Sequence, residues 1–151
     1  MKISIIKILD STMADGEGLR TSIYCAGCDH RCPNCHNPQT WNINNGTWSD
    51  VEYIYNRIMQ DPYTNITFTG GDPMKQVEGF TELAKMIKEN SNKTIWLYTG
   101  YTYEEILESD RLSMILPYID VLVDGKYKEE ERDLTLRFRG SRNQRIIYLK
   151  K

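Results

Sequence analysis

Along the 151 residues the apolar positions change period several times, and each change marks an element. Residues 20–25 (RTSIYC) are β-branched and aromatic and predict a strand that runs straight into a group of cysteines. Val51, Ile54 and Ile58 share one helical face behind Ser49 and Glu52, a capping-box pair, so a helix is expected up to the Asp61-Pro62 break. Residues 65–69 (NITFT) predict a second strand that stops at Gly70-Gly71-Asp72-Pro73, after which Phe80, Leu83, Ala84 and Ile87 recur with helical period. Residues 94–98 (TIWLY) form a third, closed by Thr99-Gly100, and Thr102 with Glu105 repeats the capping box ahead of Ile106 and Leu107. A fourth, 119–123 (IDVLV), ends at Asp124-Gly125, and 145–149 (RIIYL) offers a fifth behind an arginine-bearing loop.

This β-α-β-α-β rhythm predicts an α/β fold with a mostly parallel sheet and helices packed on it. A complete eight-fold βα barrel needs about 250 residues, so a barrel-like sheet in this chain has to be partial and open. No repeat or linker interrupts the sequence, and residues 1–151 are expected to form a single domain. In parallel α/β sheets functional groups gather at the carboxyl ends of the strands. The cysteine loop, residues 70–73, Thr99-Gly100 and Asp124-Gly125 should therefore line one rim.

Composition narrows the function classes. Hydrophobic residues make up 40% and charged residues 26%, as in an ordinary globular protein. A net charge of −2 gives no electrostatic reason to expect nucleic acid as a partner. The one basic segment is Arg137, Arg139, Arg142 and Arg145. No apolar run approaches the roughly 18 residues of a membrane span, and the short apolar stretch at the start lacks a cleavage site. A cytoplasmic protein with no membrane association is expected.

All four cysteines, Cys25, Cys28, Cys32 and Cys35, fall within eleven residues, CAGCDHRCPNC. In a reducing compartment such crowding points to metal or redox chemistry rather than to disulfides. Structural zinc sites separate their two pairs by about a dozen or more residues, whereas only Asp29, His30 and Arg31 lie between Cys28 and Cys32. A single tetrahedral ion in so tight a loop would be strained. A thioredoxin-like pair uses one Cys-x-x-Cys. A cubane iron–sulfur cluster is wider, and Cys28-x3-Cys32-x2-Cys35 suits its separate corners better. Cys25 ends the strand and is assigned a packing role; His30 and His36 read as hydrogen-bonding loop residues rather than metal ligands.

The spacing Cys-x3-Cys-x2-Cys after a first strand resembles the radical S-adenosylmethionine superfamily. That resemblance implies a [4Fe–4S] cluster on Cys28, Cys32 and Cys35, with the fourth iron open to the amino and carboxylate groups of S-adenosylmethionine. A fourth ligand at Cys25 would block it. Backbone atoms of Asn34, Cys35 and His36 would then meet the nucleoside, although Asn34 stands where much of the superfamily has an aromatic residue. Gly70-Gly71-Asp72-Pro73 resembles the superfamily's Gly-Gly-Glu-Pro segment, which binds the methionine ammonium, and the resemblance implies Gly70, Gly71 and Asp72 as cofactor contacts. A carboxylate or carbonyl can accept from a cation, Asp72 is shorter than Glu, and the Gly71 backbone is the first contact expected.

Further strings narrow the family: Asp15-Gly16-Glu17-Gly18-Leu19-Arg20, Cys35-His36-Asn37 followed by Thr40-Trp41, Trp96-Leu97-Tyr98-Thr99-Gly100-Tyr101, Val123-Asp124-Gly125-Lys126-Tyr127 and Arg139-Gly140-Ser141-Arg142-Asn143-Gln144-Arg145. In this order they resemble the activating proteins of anaerobic, class III ribonucleotide reductases, with Glu17 where many relatives have proline. The resemblance implies a partial, open βα barrel of radical-SAM type. It also implies reduction of the cluster by a flavodoxin-like donor, reductive cleavage of S-adenosylmethionine, and a glycyl radical on the reductase large subunit. No general base is required, and none with catalytic spacing is evident. Arg137 to Arg145 would bind the partner or the S-adenosylmethionine carboxylate, or form surface ion pairs. The rivals are an activator of another glycyl-radical enzyme and a zinc-binding adaptor.

Overall fold

Residues 1–33, 35 and 38–150 are described by a computed structural model. The β-branched runs become strands β1 (Lys2–Thr12), β2 (Arg20–Cys25), β3 (Thr47–Asp50), β4 (Asn65–Gly70), β5 (Ile95–Tyr98), β6 (Val121–Asp124) and β7 (Arg145–Tyr148). They form one mixed, open sheet in the order β3-β1-β2-β4-β5-β6-β7. Its centre, β2-β4-β5-β6, is parallel as predicted. The margins are antiparallel. β7 is antiparallel because the chain leaving β6 folds back over residues 126–144 and re-enters at the end where it left, with no crossover helix to carry it to the other end.

The helices are α1 (Val51–Ile58), α2 (Val77–Asn90), α3 (Tyr103–Leu107) and α4 (Asp110–Ser113). The capping box expected at α3 is complete: Thr102 accepts from the Glu105 N–H, and Glu105 accepts from the Thr102 N–H. The one expected at α1 does not form. Ser49 is paired with Ile3 in the β3–β1 ladder, so Asp50 takes the N-cap position without a side-chain cap. The first helical N–H, that of Val51, donates instead to the Met1 carbonyl at 3.0 Å.

Strand alternation divides the side chains between two faces. Ile23 and Cys25, Ile66 and Phe68, Ile95 and Leu97, and Leu122 join the core with buried residues of all four helices. The opposite parity carries Arg20 and Tyr24, Thr67 and Thr69, Trp96 and Tyr98, and Val121 and Val123. Among the described residues no helix lies on that second face; Trp96, Val121 and Val123 pack with Phe138 and Ile146 from the segment after β6 and from β7.

Arg20 organises the second face. It is 1% exposed, and its guanidinium donates to Thr67 Oγ1 at 2.9 Å, to the Glu17 carbonyl at 2.7 Å, and to the Ile66 and Thr94 carbonyls at 2.9 and 3.1 Å. It also lies over the Trp96 ring, 5.5 Å from its centroid. These partners are neutral, and burial pulls its pKa down to about 10. One side chain thus joins the Asp15-to-Arg20 loop, β4 and the start of β5. Arg20→Ala is expected to lower folding stability by about 3 kcal/mol in chemical denaturation; Arg20→Lys, which cannot span the same acceptors, restores only part. A loss below about 0.5 kcal/mol for the alanine variant would contradict this role.

Candidate functional site

The carboxyl ends of the parallel strands open into a cleft of about 660 Å³. Tyr24, Thr69, Tyr98 and Val123, all of the second-face parity, form its floor. Cys28, Cys32 and Cys35 line it too, each half-buried. Cys25 has the opposite parity and is fully buried in the helix-side core, which is the packing role expected of it. Among the described residues, no three His, Cys, Asp or Glu side chains converge into a preformed single-ion site.

The backbone locks the Gly70-Gly71 turn against the start of the cysteine loop. The Gly71 N–H donates to the Cys25 carbonyl at 2.9 Å, and the Asp72 N–H donates to the Gly27 carbonyl at 2.8 Å. Gly70 has φ +108°, and a Cβ there would stand 2.3 Å from the Cys25 nitrogen; at Gly71 it would stand 2.6 Å from the Gly27 oxygen. Only glycines allow this approach. The Gly71 and Asp72 amide protons are consumed by the lock, so the atoms this turn can offer a ligand are carbonyl oxygens, acceptors suited to a cation.

Asp72 ties the loop to two further elements. Its Oδ1 accepts from the Met74 N–H at 2.9 Å, capping the turn that leads into α2. Its Oδ2 accepts from Thr99 Oγ1 at 2.9 Å, from the Gly100 N–H at 3.0 Å and from His30 Nε2 at 2.6 Å. His30 lies between Cys28 and Cys32, so the middle of the cysteine loop is anchored to the end of β5. The ring is wedged edge-on against Tyr101, with centroids 4.6 Å apart. A Cβ at Gly100 would stand 2.6 Å from the imidazole, which makes that glycine part of the same fit.

The thiols feel their surroundings differently. Burial raises the Cys28 pKa to about 11, opposed by backbone N–H groups of His30 and Arg31 that bond the sulfur. Burial also raises Cys32, opposed by the Tyr127 N–H and by the positive charge of Lys126. Cys25 is raised furthest, by burial first and by the Asp72 charge next. These N–H groups aim at sulfur and favour thiolates over thiols, as a soft-metal or cluster ligand set needs.

Of the predicted site residues, the structure brings Cys28, Cys32, Cys35, Gly70, Gly71 and Asp72 together; Asn34 and His36 lie outside the described residues. The arginine string divides. Arg145 pairs with Asp124 and Glu104, the ion-pair alternative, and Arg139 donates to the Gln144 carbonyl at 2.5 Å. Sequence reasoning passed over Gln144 itself, whose amide accepts from Gly140 and Ser141 and donates to the Gly125 carbonyl. It also passed over the Tyr24 hydroxyl bonded to Asp15 at the cleft wall. The only signal for either was its place in the quoted strings.

In metal-free protein, alkylation at Cys28 should rise about tenfold per pH unit between pH 8 and 10, because its thiolate appears only near pH 11. The sign for stability is the reverse: the unfolded chain releases this proton first, so the metal-free fold weakens as pH climbs from 9.0 towards about 11. His30→Ala should speed alkylation of Cys28 and Cys32 at least about fivefold by releasing the loop, and His30→Gln, which keeps a donor for Asp72, should restore the slow rate. Equal rates in all three proteins would refute the anchoring role.

Comparison with known proteins places this geometry in a family. A model described as a 4Fe-4S single cluster domain matches residues 14–147. Proteins named anaerobic ribonucleoside-triphosphate reductase-activating protein align along almost the whole chain. The one from Pasteurella multocida is 35% identical over 155 residues, 97% of either chain. That of Vibrio cholerae is 36% identical, covering 89% of this chain and 90% of its own. That of Escherichia coli K12 is 32% identical, covering 91% and 94%. With a family model spanning the cysteine cleft and relatives above 30% identity over nearly their full length, the chain belongs to the family of anaerobic ribonucleoside-triphosphate reductase-activating proteins.

Proposed function

We propose that this protein is a radical S-adenosylmethionine activase that holds a [4Fe–4S] cluster on Cys28, Cys32 and Cys35 and forms a glycyl radical on the large subunit of anaerobic ribonucleotide reductase. The observation that carries the reading is the convergence of three half-buried thiols and a locked Gly70-Gly71 turn in one cleft at adjacent parallel strand ends. Three sulfur donors, of which Cys28 and Cys32 have amide protons aimed at the sulfur, fit an iron–sulfur cluster, and a fit with one iron unligated leaves a place for a second cofactor. When bound, the cluster supplies the electron that splits S-adenosylmethionine into methionine and a 5′-deoxyadenosyl radical, the species that takes hydrogen from a backbone glycine.

The chain's own residues bind and orient. Carbonyl oxygens at Gly70 and Gly71 receive the methionine ammonium, and Asp72 serves it by holding that turn and by placing a carboxylate behind it. Backbone atoms of Asn34, Cys35 and His36 meet the nucleoside. His30 and Asp72 keep the ligand loop in register with the turn. Proton transfer has no part in hydrogen-atom abstraction, so this reading needs no general base, and the cleft's His30 is engaged with the Asp72 carboxylate. We read the open sheet as a partial barrel of radical-SAM type, with a mouth wide enough for a polypeptide segment.

A low-potential, flavodoxin-like protein is the electron donor in this reading, and the reducing cytoplasm is its setting. Among the described residues no helix is long and apolar enough to cross a membrane. After anaerobic reconstitution, Cys28→Ala, Cys32→Ala and Cys35→Ala should each lose the cluster absorbance and cut reductive 5′-deoxyadenosine formation at least about a hundredfold. Cys25→Ala should retain both, with a stability loss of about 1 kcal/mol. A Cys28→Ala protein with full cleavage would contradict the ligand assignment.

A further inference from the structure

Residues 126–144 form a two-legged flap beside the cleft. Its legs are pinned. The Asp133 N–H donates to the Gly140 carbonyl at 3.2 Å, the Arg142 N–H to the Glu131 carbonyl at 2.9 Å, and the Lys128 N–H to Oγ of the buried Ser141 at 3.2 Å. Asn143 and Gln144 donate to the Lys126 and Gly125 carbonyls, which fastens the flap to the end of β6. Phe138 packs against Trp96 with ring centroids 5.3 Å apart. The Arg-Gly-Ser-x-Asn-Gln string is thus the hinge plate of the flap, with its arginines secondary to Ser141, Asn143 and Gln144.

The tip contrasts with the legs. Thr135 turns back on the Asp133 carboxylate, and Leu134, at the apex, is 83% exposed. Leu134 and Leu136 line the same cleft as Cys28, Cys32 and Cys35. Ala14 lines the cleft as well, and its neighbour Met13 is 71% exposed. Leu134 and Leu136 therefore stand at the cleft on a loop that its own hydrogen bonds hold in place. One exposed leucine is ordinary on a protein surface; what sets Leu134 apart is that it borders, together with Leu136, the cleft that holds the three cysteines. The relatives are named as activating proteins of a reductase, which makes the occupant a protein, and a backbone that is to react beside the thiols has to pass this mouth.

We propose that the flap tip, Leu134 with Leu136, is a docking surface for the reductase polypeptide, gripping an apolar side chain next to the glycine-bearing segment as it enters the cleft. The role of that segment rests on the function proposed above; the contact itself is tested by binding. The affinity of the anaerobically purified chain for its reductase, measured by biolayer interferometry, should weaken at least about tenfold in Leu134→Asp and change less than about twofold in Leu134→Met. Iron content and 5′-deoxyadenosine formation without reductase should equal wild type in both variants, separating docking from chemistry. Equal affinity of Leu134→Asp and wild type overturns the docking surface. Wild-type protein that forms no 5′-deoxyadenosine overturns the proposed activity and leaves the affinity comparison standing.

Discussion

The carboxylate of Asp72 is buried, 2% exposed, and receives hydrogen bonds from four groups: Met74, Thr99, Gly100 and His30. A buried carboxylate is tolerated only when its oxygens are satisfied, and here the satisfaction comes from three separate stretches of chain. The constraint acts in both directions. The donors fix the carboxylate, and the carboxylate fixes the cysteine loop to the ends of β4 and β5. Among the described residues the other tethers of the loop from Cys28 to Cys35 run elsewhere, the Gly27 and Cys28 amides to the Thr40 and Trp41 carbonyls and Asp29 to Lys75, whereas Asp72 joins the middle of the loop to the Gly70-Gly71 turn. The position of three thiols relative to the Gly70-Gly71 turn therefore depends on one acidic side chain 37 residues beyond the last cysteine.

Strand parity decides what else the cleft contains. Because β2 alternates, Tyr24 faces the cleft and Cys25 faces the helices, so the chain can carry four cysteines in eleven residues and present three of them. The second face, which a helix would cover in a doubly wound fold, is closed only in part by the flap and by the Arg20-bound loop before β2. An open face beside a metal-type ligand loop is what a site for a large substrate requires. The antiparallel β7 follows from the same flap, which turns the chain round at the cleft end of the sheet.

The central elements were legible in sequence because their signals are local. The β-branched runs ending at glycine, the periodic face of α2 and the Thr102–Glu105 capping box all reappear where expected. So does the gathering of Cys28, Cys32, Cys35, Gly70 and Gly71 on one rim. What escaped depends on distant partners. β1 was unread because its apolar pattern is broken by two register shifts, and its buried Ser4 is satisfied by Gln76, 72 positions away. Ser49 looked like a helix cap because nothing local reveals that Ile3 claims it for the sheet. His30 and Asp72 are 42 positions apart, so their bond had no sequence signature. In the arginine-rich string the charges are the local signal, whereas the uncharged Ser141, Asn143 and Gln144 hold the flap to its base.

At the centre of the proposed function are three thiolates that leave one iron of a cluster open to S-adenosylmethionine. Electron paramagnetic resonance of the anaerobically purified, reduced protein addresses this directly, recorded with and without S-adenosylmethionine and paired with iron analysis. The expected result is about four irons per chain and a reduced-cluster signal whose g values shift when S-adenosylmethionine is added. One zinc per chain with no iron, or a cluster signal unchanged by S-adenosylmethionine, would contradict it.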